Sequence, residues 1–239
     1  MTLVTDVLER VARQVSVEPP SSWITATAKQ YLEIRDDFLA ETVSDILDRV
    51  DLPAPFGALT TITGDGSEEY DLPDDFLRLH RDKAAVYEPS YRRVLLPITS
   101  EGTWRHLQAV GSTGADRYFK IGGYDGNWTI SFFAHPAANN TITVAHNTKN
   151  WMASSTGTVG YEFTDPMDVI LFPRRLVEAG TVYRWRERKG LPYQDKYLEY
   201  EAQLARFSND MKVRRIISLN GHEPLKPWNI PVPNYIPES

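Results

Sequence analysis

Cysteine is absent from all 239 residues, which removes disulfides, thiolate metal sites and cysteine nucleophiles together and suits a reducing compartment. Long apolar runs are also missing, so nothing approaches the roughly 20 residues a helix needs to cross a bilayer. The N-terminus lacks the basic flank, apolar core and small-residue cleavage site of a secretory signal. A soluble, cytoplasmic chain with no membrane association is therefore the expectation. Positive charge is not in excess. A net charge of −6 argues against a free-standing nucleic-acid binder, because lysine and arginine supply most backbone affinity.

Chemical signatures are equally sparse. There is no G-x-x-x-x-G-K-[ST], no G-x-G-x-x-G and no H-E-x-x-H. Gly122-Gly123-Tyr124-Asp125-Gly126 is glycine-rich but lies between two strand-like runs, where a hairpin turn explains it better than a phosphate loop. Ala153 to Gly157 is a degenerate nucleophile elbow around Ser155, without the strand and helix such a serine needs. The five histidines are scattered; His135 and His146 could approach each other across a hairpin but bring no carboxylate partner. Asp36/Asp37, Glu68/Glu69 and Asp74/Asp75 are sequence neighbours whose side chains diverge, whereas an acid–base pair must converge. No catalytic residue, metal or cofactor is assigned, and the chain is not expected to be an enzyme.

What is present is an ordinary globular composition, 41% apolar and 24% charged, with a changing texture. Val4, Val7, Leu8, Val11 and Val15 repeat at helical spacing until Pro19-Pro20. A second helix is expected from Ser22–Thr25 to Val50, about seven turns, carrying Tyr31, Leu32, Phe38, Leu39, Val43, Ile46 and Leu47. From Phe56 to Met152 short β-branched and aromatic runs alternate with turn residues. Tyr118–Ile121, Trp128–Phe133 and Thr141–His146 read as a three-stranded meander, and the runs 58–62, 84–87 and 93–98 complete a small sandwich or barrel. Asp165-Pro166 begins a short turn, and Pro173 to Lys189 a main helix stopped by Gly190 and Pro192. A last helix places Tyr193, Tyr197, Tyr200, Leu204 and Phe207 on one face.

The fold class that follows is α+β: a discontinuous four-helix bundle (residues 1–55 and 164–210), an inserted antiparallel β domain (56–163), and an extended C-terminal arm (211–239). Charge is unevenly spread over this plan. Residues 1–52 carry five basic and ten acidic side chains, and Arg174 to Lys189 six basic and two acidic. Such segments either face each other within a subunit or between subunits, or are simply two solvated helix faces. In the arm, Pro224, Pro227, Pro231, Pro233 and Pro237 alternate with Ile216, Ile217, Leu225, Trp228, Ile230 and Tyr235. Proline withholds a donor and keeps its predecessor extended. Flexible tails are poor in such anchors, so the arm reads as built to lie against a surface, its own subunit's or another's.

Several segments, in order, resemble the head-to-tail adaptor proteins of tailed bacteriophages, of the tail tubular protein A and gene-transfer-agent adaptor types. Thr60-Thr61-Ile62 followed by Glu69 to Leu79 is similar to the family's lead into its β domain. Arg93 to Thr99, Tyr118 to Gly123 and Phe133 to Pro136 resemble its later strands and turns. Arg184-Trp185-Arg186 through Gly190, with Tyr197 to Glu201, resemble its closing helix pair. Residues 134–141 and 112–116 depart from the family's usual proline placement.

The resemblance implies a structural virion protein at the head–tail junction, assembled in the host cytoplasm as a dodecameric ring. That ring docks on the portal protein, extends the DNA channel and offers the attachment surface for a tail or nozzle protein. Packaged DNA would pass without specific binding. On this basis Arg214, Arg215, Ile216, Ile217, Trp228 and Tyr235 are candidates for portal binding, and Glu33, Asp37, Glu41 and Asp45 for lining an acidic channel. The alternative is a carbohydrate-binding tail component, a β module with Tyr118, Tyr124 and Trp128 on a helical stem.

Overall fold

Valines and leucines three and four apart give the first helix its buried face. In this computed structural model, which describes residues 2–52, 57–81, 85–111, 117–124 and 126–211, β1 (Thr2–Leu3) leads directly into α1 (Val4–Gln14). Val4, Val7, Leu8, Val11 and Ala12 of α1 are buried. The second helix starts later than the apolar pattern predicts. It runs continuously as α2 (Lys29–Leu32), a π-helical stretch Glu33–Phe38 and α3 (Leu39–Arg49). Arg35 explains the late start, because its guanidinium donates to the carbonyls of Trp23 (2.5 Å) and Ile24 (3.1 Å) and holds that segment in a turn.

The β region follows as β2 (Gly57–Thr63), β3 (Glu69–Asp71), β4 (Phe76–Leu79), β5 (Val86–Glu88), β6 (Arg93–Val94) and β7 (Leu96–Pro97). A helix, α4 (Glu101–Val110), interrupts what reads as strand texture. Ser100 caps it by accepting from the Thr103 amide, and Gly111 ends it at φ +66. Then come β8 (Tyr118–Tyr124), β9 (Asn127–Phe133), β10 (Thr141–Thr148), β11 (Met152–Ala153), β12 (Val159–Gly160) and β13 (Val169–Ile170). The chain closes with α5 (Arg174–Arg188) and α6 (Gln194–Met211), separated by Gly190 at φ +68.

The expected meander is corrected. β8 and β9 form the predicted hairpin, but β9 pairs onward with β3, while β10 lies in another sheet between β2 on one edge and β5 and β4 on the other. Between them, Ala134 and Asn139 take positive φ, and the link bonds back to the end of β2 through Gly64 and Gly66. Ile130 and Phe132 of β9 thereby face Ile142 and Val144 of β10 across one apolar core instead of lying side by side. The 93–98 run likewise divides at buried Leu95 between the two sheets, and its second half, β7, pairs parallel with β8.

A second apolar core joins α1, α3, α5 and α6. Helix α5 is central, packing on α1, on α3 and on α6. Close approach is possible there because Gly180 has no side chain: a Cβ would stand 2.4 Å from Thr42 Cγ2 and 2.9 Å from the Tyr200 ring. A small sheet, β1-β13-β11-β12, ties the N-terminus to the start of α5, and Trp151 and Met152 pack into the helical core. The architecture is mixed helix and largely antiparallel sheet, the α+β class expected.

Candidate assembly surfaces

The acidic second helix and the basic α5 meet within one subunit. Arg184, facing α3, lies 3.2 Å from Asp45 and 3.9 Å from Glu41, and donates to the Thr42 hydroxyl. Arg49 grips Glu201 of α6 through two 2.7 Å hydrogen bonds, which hold that carboxylate below its ordinary range and raise the guanidinium. Tyr200, fully buried, donates to Asp45 at 2.5 Å; burial and that carboxylate raise its phenol well above the ordinary range. At the other end of the helix Lys189 donates to Glu33 at 2.7 Å and lowers its carboxyl.

The four channel candidates thus separate. Glu33 and Asp45 are held in ion pairs with Lys189 and Arg184, and Asp45 also accepts from Tyr200 of α6. Glu41 is exposed but within reach of Arg184, and Asp37 is exposed with no ion-pair partner among the described residues. The portal-binding candidates Arg214, Arg215, Ile216, Ile217, Trp228 and Tyr235 lie outside the described residues. The 1–52 and 174–189 charge asymmetry is the signal that locates the Arg184 cluster, but sequence alone leaves open whether it closes within or between subunits.

Two polar clusters carried no sequence signal. The carboxylate of Glu88 has no exposure and sits between Arg93 (2.5 Å) and Arg117 (3.5 Å), with the Asn140 amide also donating to it. These residues come from β5, β6 and the approaches to β8 and β10, so the cluster stitches the two sheets together. At the carboxyl end of α3, Arg78 and Asn147 each donate to the carbonyls of both Leu47 and Val50, while Asn147 accepts from the Leu52 amide. Helix ends leave carbonyls without partners, and here side chains from β4 and β10 supply them, fastening the helical core to the β region.

The motifs weighed for chemistry have structural places. Gly122 and Gly123 are the end of β8, Gly123 at φ +91 where a Cβ would meet the Asn127 carbonyl. Ser154, Thr156 and Thr158 hydrogen-bond one another within a turn. His146 is buried in β10 against Phe76, and His135 borders a shallow surface hollow near Glu68 and Gln108. Among the described residues no three His, Asp or Glu side chains gather as a metal site would require, and no helix is long and apolar enough to cross a membrane.

The described residues thus form an interlocked helical core and a two-sheet β region fastened together by side-chain hydrogen bonds and ion pairs. The family model for SU10 adaptor proteins matches residues 1–223, and the chain belongs to that family. This agrees with the resemblance to phage head–tail adaptors and gives the chain a structural, virion-associated adaptor role. No curated protein matches it.

Proposed function

We propose that the protein is the head-to-tail adaptor of a tailed bacteriophage, twelve copies forming a ring that docks on the portal, extends the DNA channel and receives the tail. The observation that carries this reading is the adaptor family match across residues 1–223. The helical residues 1–55 and 164–210 act as a bundle forming the ring wall, and 56–163 as a β domain directed towards the tail. Residues 211–239 serve as the portal-binding arm, with Arg214 and Arg215 meeting acidic portal groups and Ile216, Ile217, Trp228 and Tyr235 as apolar anchors. An arm that orders on binding loses conformational entropy, so a few large anchors must carry much of the affinity.

Asp37 and Glu41, exposed on the second helix, suit a channel lining that repels DNA, whereas Glu33 and Asp45 are engaged internally. The adaptor role needs no catalytic group or cofactor.

Light scattering coupled to size exclusion, on the protein alone and mixed with its portal, tests the proposal. A ring-sized co-eluting complex is expected, lost on removing Met211 to Ser239 while the truncated subunit stays folded. A truncated protein that still attaches to portal overturns the role of the arm, and a full-length chain that never joins portal overturns the adaptor reading.

A further inference from the structure

The helical core carries two apolar features on opposite sides. On one, α3 and the chain between β10 and β13 enclose a groove of about 510 Å³, floored by Leu39, Val43 and Leu47 and walled by Trp151, Tyr161 and Phe163. Ala40 and Ser44 are exposed along its lip. On the other side, the elbow between α5 and α6 leaves Leu191, Tyr197 and Leu198 exposed to 46%, 38% and 64%. The two are opposed because Asp45 and Arg49 turn towards α5 and α6, and at roughly 100° per residue positions 40, 43 and 47 lie about 140–160° around the helix from Asp45.

Each leaves a charge without an ion-pair contact among the described residues, and the two are opposite in sign. In the groove Arg35 is engaged by Asp36, and Lys149 donates to the Asp74 carbonyl. Exposed Glu162 also lines the groove and has no ion-pair partner among the described residues. At the elbow, exposed Arg188 touches the Phe38 ring and acts on the Glu33 carboxylate from a distance, but makes no ion-pair contact among the described residues.

We infer that the occupant of the groove is a second copy of this chain: the α5–α6 elbow of one subunit seats in the α3 groove of the next, with Leu191, Tyr197 and Leu198 entering and Arg188 meeting Glu162. A contact between two different patches on opposite sides of a subunit is heterologous, and repeated it closes into a ring. An isologous dimer would need one self-complementary patch. The exposed leucines and tyrosine supply the desolvated anchors of such an interface and the charged pair its register. This rests on the ring proposed above and identifies the surfaces that build it.

The natural absence of cysteine makes the test direct. Ala40→Cys and Leu198→Cys proteins are prepared separately and oxidised alone and mixed, at high concentration and with portal, while light scattering reports the size of the assembly. The expected result is a cross-linked dimer only in the mixture, and a ladder of oligomers from the double variant. Leu198→Glu should reduce ring-sized material at least tenfold without changing the melting temperature, while Leu59→Glu, at a position on β2 that is even more exposed, should leave it unchanged. Rings that form without the cross-link and tolerate Leu198→Glu overturn this inference and leave the ring reading intact. Cross-linking of the position 40 thiol to portal instead also overturns it. A monomer under both conditions overturns both.

Discussion

Glu88 has given up all contact with water, and its stability depends on Arg93, Arg117 and Asn140. Removing one member of a buried ion pair leaves its partners uncompensated, so Glu88→Ala should destabilise the protein by about 3–5 kcal/mol, read as a lower urea midpoint. His146 supplies a pH dependence. Burial lowers its pKa from the ordinary 6.5, and its Nε2 has no hydrogen-bond partner among the described residues. A base whose folded pKa is depressed binds a proton more readily when unfolded. Stability is therefore complete above about pH 6.5 and falls as pH drops from there towards the folded value. The melting temperature should decline on acidification through this window, and His146→Phe should flatten the decline.

At the scale of elements, α5 determines how the helices can sit. Its Leu176, Val177, Ala179 and Val182 are almost wholly buried, and Gly180 allows Thr42 and Tyr200 to close on it from two sides. Gly180→Ala should cost about 1–3 kcal/mol through overpacking, despite alanine's higher helix propensity. An increase in chemical stability would show that the helices have room to move apart.

The Arg78 and Asn147 bonds to the end of α3 illustrate why parts of this site were not legible. Nothing in the spacing of residues 47, 78 and 147 predicts that they meet. α4 is a different case, since its Ser100 cap and Gly111 stop are local features that lie within a stretch whose β-branched and aromatic runs read as strand.

For the whole molecule, charge is consumed inside before it is presented outside. Glu33 and Asp45 look like bore-lining acids in the sequence but neutralise Lys189 and Arg184. In the ring proposed above, exposed Asp37 and Glu41 are the acids of this helix that would act on a passing polyanion, their charge repeated around a channel whose low-dielectric walls focus the field. Asp37→Lys should slow genome ejection, with the effect shrinking as salt is raised. Ejection at the natural rate in low salt would remove Asp37 from the channel.

The sequence by itself determined the helical boundaries at Pro173 and Gly190, the β8–β9 hairpin, the α+β class and the adaptor resemblance, whereas the first helix stops at Gln14, short of Pro19-Pro20. All of these rest on local rules: proline withholds a donor, glycine accepts positive φ, and apolar residues recur with the period of their element. Only the tertiary structure decided that β10 leaves the meander for a second sheet, that Glu88 is clamped between sheets, and that the acidic and basic segments pair within one subunit. Those outcomes depend on which distant faces bury one another, and sheet pairing and ion pairing take their partners from across the chain.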